Sequence, residues 1–278
     1  MLRVLTYNIH KAIGNDGKFS LSRIIEILKN SQADIICLQE VDYLVPRSSY
    51  EDLALRIAEG LNYHYELGLN VYLKKGAYGN AIFSRFPILH SENLNITWGI
   101  KKRRGCLMSK ILVPEELLKN DLNFAQYKKE ESQKTSPIST TVIGVLNLHL
   151  GLANFERLWQ VEKILSSAFL EITKNIPLII AGDTNDRLQH VDRIFNAHGF
   201  WDSSYLFKKE HPKKRKRYEF YTFPSYTPLI RIDKVFVNEF WFVIDHKVIK
   251  DKLTKIASDH LPVYVDLKLQ EKQNHSSK

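Results

Sequence analysis

The stretch Ser258-Asp259-His260-Leu261-Pro262 places a carboxylate and an imidazole beside an apolar run typical of a β-strand. Upstream, four other apolar runs also end in acidic, amide or histidine side chains. They are Thr6-Tyr7-Asn8-Ile9-His10, Leu38-Gln39-Glu40-Val41-Asp42, Asn147-Leu148-His149-Leu150-Gly151 and Ala181-Gly182-Asp183-Thr184-Asn185-Asp186. Such endings predict strand ends that converge on one polar site, with the ligands that a hard divalent metal and a phosphoryl group require.

The composition is that of an ordinary soluble globular protein, with 44% hydrophobic and 26% charged residues in 278. A chain of this length can bury a core without disulfides. We predict that Cys37 is a buried strand residue, and nothing in the sequence suggests a disulfide with Cys106, although one is possible. No secretory signal and no stretch of transmembrane length is visible. We therefore expect a cytoplasmic monomer, with export by a signal-independent route still open.

The formal charge of +9 is concentrated in two basic patches. The first is Lys101–Arg104, and the second is Lys208–Arg217, which has seven cations and one anion. Such patches would attract an anionic partner, either nucleic acid or acidic lipid headgroups. The alternative is that both are solvated loops whose cations aid solubility.

Strand-like and helix-like runs alternate along the chain, which indicates an α/β protein. Residues typical of a site occur from Asn8 to His260, so a division into two domains would split the site, and we predict one domain over residues 1–269. The segment 114–140 is polar and predicts a mobile insertion, residues 270–278 predict a flexible tail, and residues 153–174 predict one long amphipathic helix.

Two candidate metal ligands lie at the first two strand ends. Asn8 shares one strand face with Leu2, Val4 and Thr6, and its amide oxygen could bind a metal, although a lone Asn there is more often a turn former. Glu40 follows a mostly apolar strand, where its carboxylate needs a compensating cation. Mg²⁺ would provide that charge. A salt bridge to Lys or Arg is the alternative.

The run Gly182-Asp183-Thr184-Asn185-Asp186 follows another apolar strand. Residues two apart on an extended segment point the same way, so Asp183 and Asn185 can address one phosphate. The carboxylate can deprotonate a water molecule, and the amide can hold that water without adding charge. An ordinary turn is the alternative interpretation.

Two histidines are candidates for contact with a phosphate. A cationic His260 could stabilise the charge that develops on a pentacoordinate phosphorus, and it needs a carboxylate neighbour to stay protonated. Asp233, a charge inside a predicted strand, is the candidate neighbour. His149 would supply a second imidazole, although a lone histidine there is more often structural.

Taken together, these motifs resemble those of the endonuclease/exonuclease/phosphatase superfamily of metal-dependent phosphoesterases. The matching residues, in order, are Asn8, Glu40, His149, Asp183, Asn185, Asp233, Asp259 and His260. The segment from Tyr78 to Arg85 also resembles a central strand of that superfamily, with Asn80 near the site. The resemblance spans essentially the whole chain.

The resemblance implies a four-layer α-β-β-α sandwich of two packed mixed β-sheets flanked by helices. It implies that Asn8 and Glu40 hold Mg²⁺ or Mn²⁺ and that Asp259 helps to hold metal or imidazole. It also implies catalytic roles for His149, Asp183, Asn185, Asp233 and His260. Asn80, Lys101, Arg103 and Arg104 are then the expected substrate-binding residues.

Three functions remain open from the sequence. A nuclease and a phosphoesterase acting on phospholipids or small molecules share the same chemistry, so both a phosphodiester and a phosphomonoester remain possible substrates. The third is a catalytically inactive anion-binding module on the same fold. We expect an active hydrolase, because every catalytic position of the motif set is filled.

Overall fold

The computed structural model describes residues 1–119, 124–131, 139–214 and 216–270. Its strands are β1 Leu2–Asn8, β2 Ile35–Tyr43, β3 His64–Tyr72, β4 Ala77–Ser84, β5 Ile88–Asn95, β6 Gly105–Pro114, β7 Thr140–His149, β8 Leu178–Asp183, β9 Trp201–Asp202, β10 Asp233–Val237, β11 Trp241–Val248 and β12 Val263–Leu269. Its α-helices are α1 Leu21–Ser31, α2 Leu53–Leu61, α3 Glu115–Lys119, α4 Phe124–Glu131, α5 Asn154–Leu165, α6 Ala168–Thr173, α7 His190–Ala197, α8 Ser203–Glu210 and α9 Lys252–Ala257.

The strands form two six-stranded mixed sheets. The order of the first is β11-β12-β1-β2-β4-β3, and that of the second is β5-β6-β7-β8-β10-β9. In each sheet one pair of central strands is parallel, β1 with β2 and β7 with β8, and the other pairs are antiparallel.

Three apolar clusters separate the layers. The cluster between the sheets takes alternate residues of facing strands, such as Val4 and Cys37 from one sheet and Val145 and Ala181 from the other. A second cluster packs α1, α2 and α9 on the first sheet, and a third packs α5, α6 and α7 on the second. Burial of each large aliphatic side chain contributes about 1.5–3 kcal/mol. The predicted four-layer sandwich is confirmed.

The alternation predicted for the first strand is also present. Leu2 and Val4 lie in the cluster between the sheets, whereas Leu5, Tyr7 and Ile9 face the helices. Asn8 therefore stands at the end of the face that packs against the second sheet, because side chains two apart share a face.

The helix predicted over residues 153–174 is wrong as a single element. It is divided into α5 and α6, because Ser167 Oγ accepts a hydrogen bond from Leu170 N and caps a new helix.

The segment 114–140 differs in part from the mobile insertion that was expected. Helices α3 and α4 lie within it, and Leu117, Leu118 and Tyr127 are buried in the same cluster as the residues between the sheets. These side chains hold the described part of the segment against the core. Residues 120–123 and 132–138, and the tail from residue 271, lie outside the described residues.

Both cysteines are buried and free, as the sequence predicts for Cys37. Among the described residues, no helix combines the length and apolar character needed to cross a bilayer.

Candidate active site

The polar site lies at one edge of the two packed sheets. His149 and Asp183 end the parallel strands β7 and β8 and stand opposite each other in register. Asp233 begins β10, which runs antiparallel to β8, so it lies opposite Asp183. These three side chains form the polar end of the space between the sheets, and the apolar cluster lies further in.

Gly182 allows β7 and β8 to approach closely just before Asp183. Its φ is 147°, and a Cβ atom built there would lie 2.0 Å from the carbonyl oxygen of Leu148. A side chain would therefore force the strands apart where His149 and Asp183 meet.

His260 is held between two carboxylates. Its Nδ1 lies 2.9 Å from Asp233 Oδ2, and its Nε2 lies 3.7 Å from Asp183 Oδ2. Burial opposes the charged form, but Asp233 and then Asp183 outweigh it and raise the pKa of His260 to about 10. The imidazole is therefore a buried cation at neutral pH.

Asp183 accepts polar contacts at both carboxylate oxygens. Oδ1 accepts a hydrogen bond from Asn185 N at 2.9 Å, and Oδ2 accepts one from Asn8 Nδ2 at 3.1 Å. Burial raises the pKa of Asp183 to about 6, against the opposing charge of His260. At neutral pH the group is ionised and far more basic than an exposed Asp, which suits it to accept a proton.

His149 has a different environment from His260. Arg104 Nη1 lies 2.7 Å from its Nε2. Burial, and after it the positive charge of Arg104, hold the pKa of His149 well below 6.5. The imidazole is therefore neutral, and its 3.4 Å approach to Asp183 Oδ2 is not an ion pair.

Glu40 lies on a β-bulge of β2. The register with β4 shifts between Leu38 and Val41, and Glu40 itself has a φ of 58°. A bulge redirects a side chain, and here it brings the Glu40 carboxylate to the ammonium group of Lys11. Although burial opposes ionisation, Lys11 holds the pKa of Glu40 below 4.5. We predicted either a divalent metal or a salt bridge as the partner of Glu40, and the structure shows the salt bridge with Lys11.

The other predicted site residues are placed as follows. Asn185 Nδ2 donates to Leu150 O at 3.0 Å, which turns its amide toward the loop after β7. Asn80 is buried and donates to the carbonyl oxygens of Gly105 and Asn147. Asp259 is half-buried beside His260, and its carbonyl oxygen accepts a hydrogen bond from Ser225 N.

The sequence comparisons decide the family. The model of the Endonuclease/Exonuclease/phosphatase family matches residues 5–260. The chain belongs to this family. The resemblance drawn from the motifs is thereby confirmed, and it includes the edge of the sheets described above.

Individual relatives are more distant. The uncharacterized protein YbhP of Escherichia coli K12 is 29% identical over 248 residues, which cover 85% of this chain and 84% of YbhP. An endonuclease/exonuclease/phosphatase from Beutenbergia cavernae has a similar structure, with a TM-score of 0.69, 21% identity and coverage of 96% and 71% of the two chains. A mannosyl-6-phosphatase of Bacteroides thetaiotaomicron has a TM-score of 0.65 at 21% identity and coverage of 96% and 99%. At these identities the structural likeness shows the fold.

The two basic patches lie in different parts of the structure. Lys101, Lys102 and Arg103 are exposed on the connection between β5 and β6, and Arg103 and Arg104 line the same cleft as Glu40 and His149. In the second patch, Lys208 and Lys209 are exposed at the end of α8. Arg215 lies outside the described residues.

Two features of the site had no predictor in the family motifs. A buried amide pair joins the sheets, since Gln39 Nε2 donates to Asn147 Oδ1 at 2.8 Å. Asn147 Nδ2 in turn donates to Leu38 O and Ala81 O. The other is the Lys11 contact with Glu40. Gln39 and Asn147 each interrupt an otherwise apolar strand. That interruption is a sequence signal that could have indicated the pair.

Proposed function

We propose that this protein is a metal-dependent hydrolase that cleaves a phosphodiester or a phosphomonoester by attack of a water molecule. The observation that carries the proposal is the buried His260 cation between Asp233 and Asp183. A basic carboxylate and a fixed cation at a strand edge are the groups that water attack on phosphorus requires. Membership of the family supports the same reaction class.

Asp183 is the proposed general base. Its raised pKa makes it a competent proton acceptor near neutral pH, and the bonds from Asn8 and Asn185 fix its orientation. The attacking water transfers its proton to the Asp183 carboxylate as its oxygen bonds to phosphorus. The ester bond between phosphorus and the leaving-group oxygen breaks, and that oxygen departs as an alcohol after it takes a proton from solvent water. Asn185, on the loop just beyond, is the residue that we propose positions that water.

His260 and Arg104 are the proposed stabilisers of the negative charge that grows on the phosphoryl oxygens. His260 cannot lose its proton easily, because Asp233 binds its Nδ1. A donor fixed before reaction begins costs no reorganisation when the charge develops. Neutral His149, held by Arg104, would contribute a hydrogen bond and not a charge.

Residues that can hold a divalent metal are present on the first sheet. The Glu40 carboxylate already contacts a cation, the Lys11 ammonium group, and Asn8 supplies an amide oxygen nearby in sequence register with Gln39. Oxygen donors of this kind fit Mg²⁺ or Mn²⁺, with Asp259 as a third candidate. When bound, the ion would act as a Lewis acid on a phosphoryl oxygen.

A second group of possible ligands is Asp183, Asp233 and His260, whose ligand atoms lie within 4.8 Å of one another. We favour the Glu40 side for the metal. With a pKa of about 10, His260 keeps protons on both ring nitrogens, and a protonated nitrogen has no lone pair for a metal. Asp233 is also occupied, since both its oxygens contact His260 Nδ1.

A panel of substrates tests the proposal. We expect turnover of at least one among a generic diester, a generic monoester, DNA, RNA and phospholipid, with Mg²⁺ or Mn²⁺ present. EDTA and the Asp183→Ala variant should each abolish it, and Asp16→Ala, an exposed acid on another loop, should not. The similarity to a mannosyl-6-phosphatase favours inclusion of sugar phosphates. If folded protein turns over none of these under any metal condition but still binds anions, it is an inactive binding module.

A further inference from the structure

The connection between β5 and β6 carries an exposed apolar tip. Ile96 N donates to Arg104 O at its base, and Lys101 N donates to Trp98 O in the turn. Gly99 allows this turn, because its φ of 51° is a conformation that side chains disfavour. Ile100 at the tip is fully exposed, at 104% of its reference area.

The side chains of Phe155 and Trp159 in α5 contact this turn. The Trp98 ring packs edge to face against Phe155, with centroids 6.1 Å apart, and against Trp159 at 4.9 Å. Leu152, three residues before Phe155, is 75% exposed, and Phe155 itself is 55% exposed. Trp98 and Phe155 are in contact, and together with Ile100 and Leu152, which are close to them in the chain, we call them the apolar patch. A cluster of exposed apolar groups of this kind marks an interaction surface.

Cations surround the apolar patch on the side of the catalytic cleft. Lys101, Lys102 and Arg103 are exposed in the same turn. The Lys102 ammonium group lies 5.5 Å from the centre of the Tyr78 ring, and Arg103 lines the cleft with His149. These cations therefore connect the turn that carries Trp98 and Ile100 to the rim of the candidate active site.

We propose that the apolar patch and these three cations dock on the surface of an anionic phospholipid bilayer. Trp side chains favour the level of the lipid headgroups, and aliphatic side chains enter the boundary with the acyl chains. Lys and Arg residues beside them are attracted to anionic headgroups. The charge and the apolar character of this rim match both parts of such a surface.

A nucleic acid fits the same surface less well. Single-stranded nucleic acids bind by stacking bases on free aromatic faces. Here the most exposed members are aliphatic, Ile100 and Leu152, and Trp98 already packs against two other rings. Lipid contact uses these aliphatic groups, whereas a phosphate backbone does not.

Docking of this kind would hold the cleft against lipid headgroups. Arg104 connects the two features directly, since its backbone closes the turn and its side chain contacts His149. The inference concerns binding alone, so it stands or falls separately from the proposed hydrolase activity.

Vesicle flotation in EDTA tests the docking surface without turnover. The wild type should bind vesicles that contain phosphatidylglycerol and bind pure phosphatidylcholine vesicles much more weakly. Ile100→Ser should weaken binding to the anionic vesicles by about tenfold or more, because one aliphatic anchor is lost. Leu89→Ser is the control, an aliphatic side chain that is 53% exposed at the opposite end of β5, and it should bind like the wild type.

Three results would overturn the docking proposal. One is equal, weak binding of the wild type to both kinds of vesicle, and another is unchanged vesicle binding by Ile100→Ser. The third is that Ile100→Ser reduces binding to single-stranded DNA while vesicles are not bound, which would make the rim a nucleic-acid surface. Ile100 is fully exposed, so circular dichroism and thermal melting of the variant should match the wild type.

Discussion

His260 Nδ1 lies 2.9 Å from Asp233 Oδ2, and this contact turns the opposite ring nitrogen toward Asp183. Asp233 begins β10 and His260 lies in the segment before β12, and the two residues meet because both elements reach the same edge of the sandwich. The Asp233 carboxylate therefore both keeps the imidazole protonated and fixes its orientation. Asp183, on the other side of the ring, has a raised pKa.

Asp233→Asn should leave the fold intact and remove most of the activity. The amide is similar in shape but carries no charge, so it no longer stabilises the imidazolium, although its oxygen can still accept a hydrogen bond from the ring. We expect kcat to fall by about a hundredfold or more. Steady-state kinetics on the best substrate of the panel measures this, with Asp16→Asn as the exposed control. A fall in substrate affinity with unchanged kcat would contradict the assigned role.

Lys11→Gln should reduce the concentration of divalent metal needed for activity. The Lys11 ammonium group contacts the carboxylate that we assign to the metal, so it competes with the ion for Glu40. Without it, the Mg²⁺ concentration for half-maximal rate should fall by about three- to tenfold. Lys18→Gln, an exposed change nearby, should have no effect.

The reverse result for Lys11 has a clear meaning. If Lys11→Gln raises the Mg²⁺ requirement or the KM, Lys11 binds the substrate or supports the metal. Glu40→Gln should raise the Mg²⁺ concentration needed for half-maximal rate in either case, because it removes the negatively charged ligand of the metal.

Stability should fall in acid because of His149. Its folded pKa is well below its unfolded value of 6.5, so below pH 6.5 the unfolded chain binds more protons than the native one. Its contribution to stability is therefore intact above pH 6.5 and is lost progressively as the pH falls toward the folded pKa. His149→Gln should lessen this acid destabilisation, which chemical denaturation at pH 5 to 8 would measure.

The control for the acid effect is His64→Gln, at an exposed position on β3. It should leave the pH dependence of the free energy of unfolding unchanged. Identical pH profiles for the wild type and His149→Gln would mean that His149 is not held neutral in the native state.

Asn147→Ala should be strongly destabilising. The Asn147 side chain accepts from Gln39 and donates to Leu38 O and Ala81 O, so its loss leaves buried polar groups without partners. We expect the free energy of unfolding to drop by about 2–4 kcal/mol. Urea denaturation measures it, with the exposed Asn30→Ala as control. A drop no greater than that of the control would mean that the amide pair does not join the sheets energetically.

The parts of the fold that follow from local patterns were predictable from sequence. Alternation in β1 placed Asn8 on the face with Val4, and apolar runs ending in polar groups located Asp183 and His149. The predicted helix over 153–174 failed at Ser167, because apolar spacing continues through a residue that caps a second helix.

The remaining parts depend on packing between distant segments. Gln39 and Asn147 meet only because the sheets stack face to face, and neither strand by itself indicates its partner. The opposite charge states of His149 and His260 follow likewise from which neighbour each ring meets, Arg104 or Asp233. The sequence led us to expect a cationic His260 beside Asp233, but nothing in it indicated that His149 would meet Arg104 and stay neutral.

The position of β1 has a consequence for biosynthesis. This strand lies between β2 and β12, and Ser258 Oγ donates to the carbonyl oxygen of Asn8 across a separation of 250 residues. In a nascent chain on the ribosome, β1 therefore cannot pair with β12 until almost the whole chain has emerged. Incompletely translated chains would lack His260, so they would carry the early site residues without the imidazole that lies between Asp233 and Asp183.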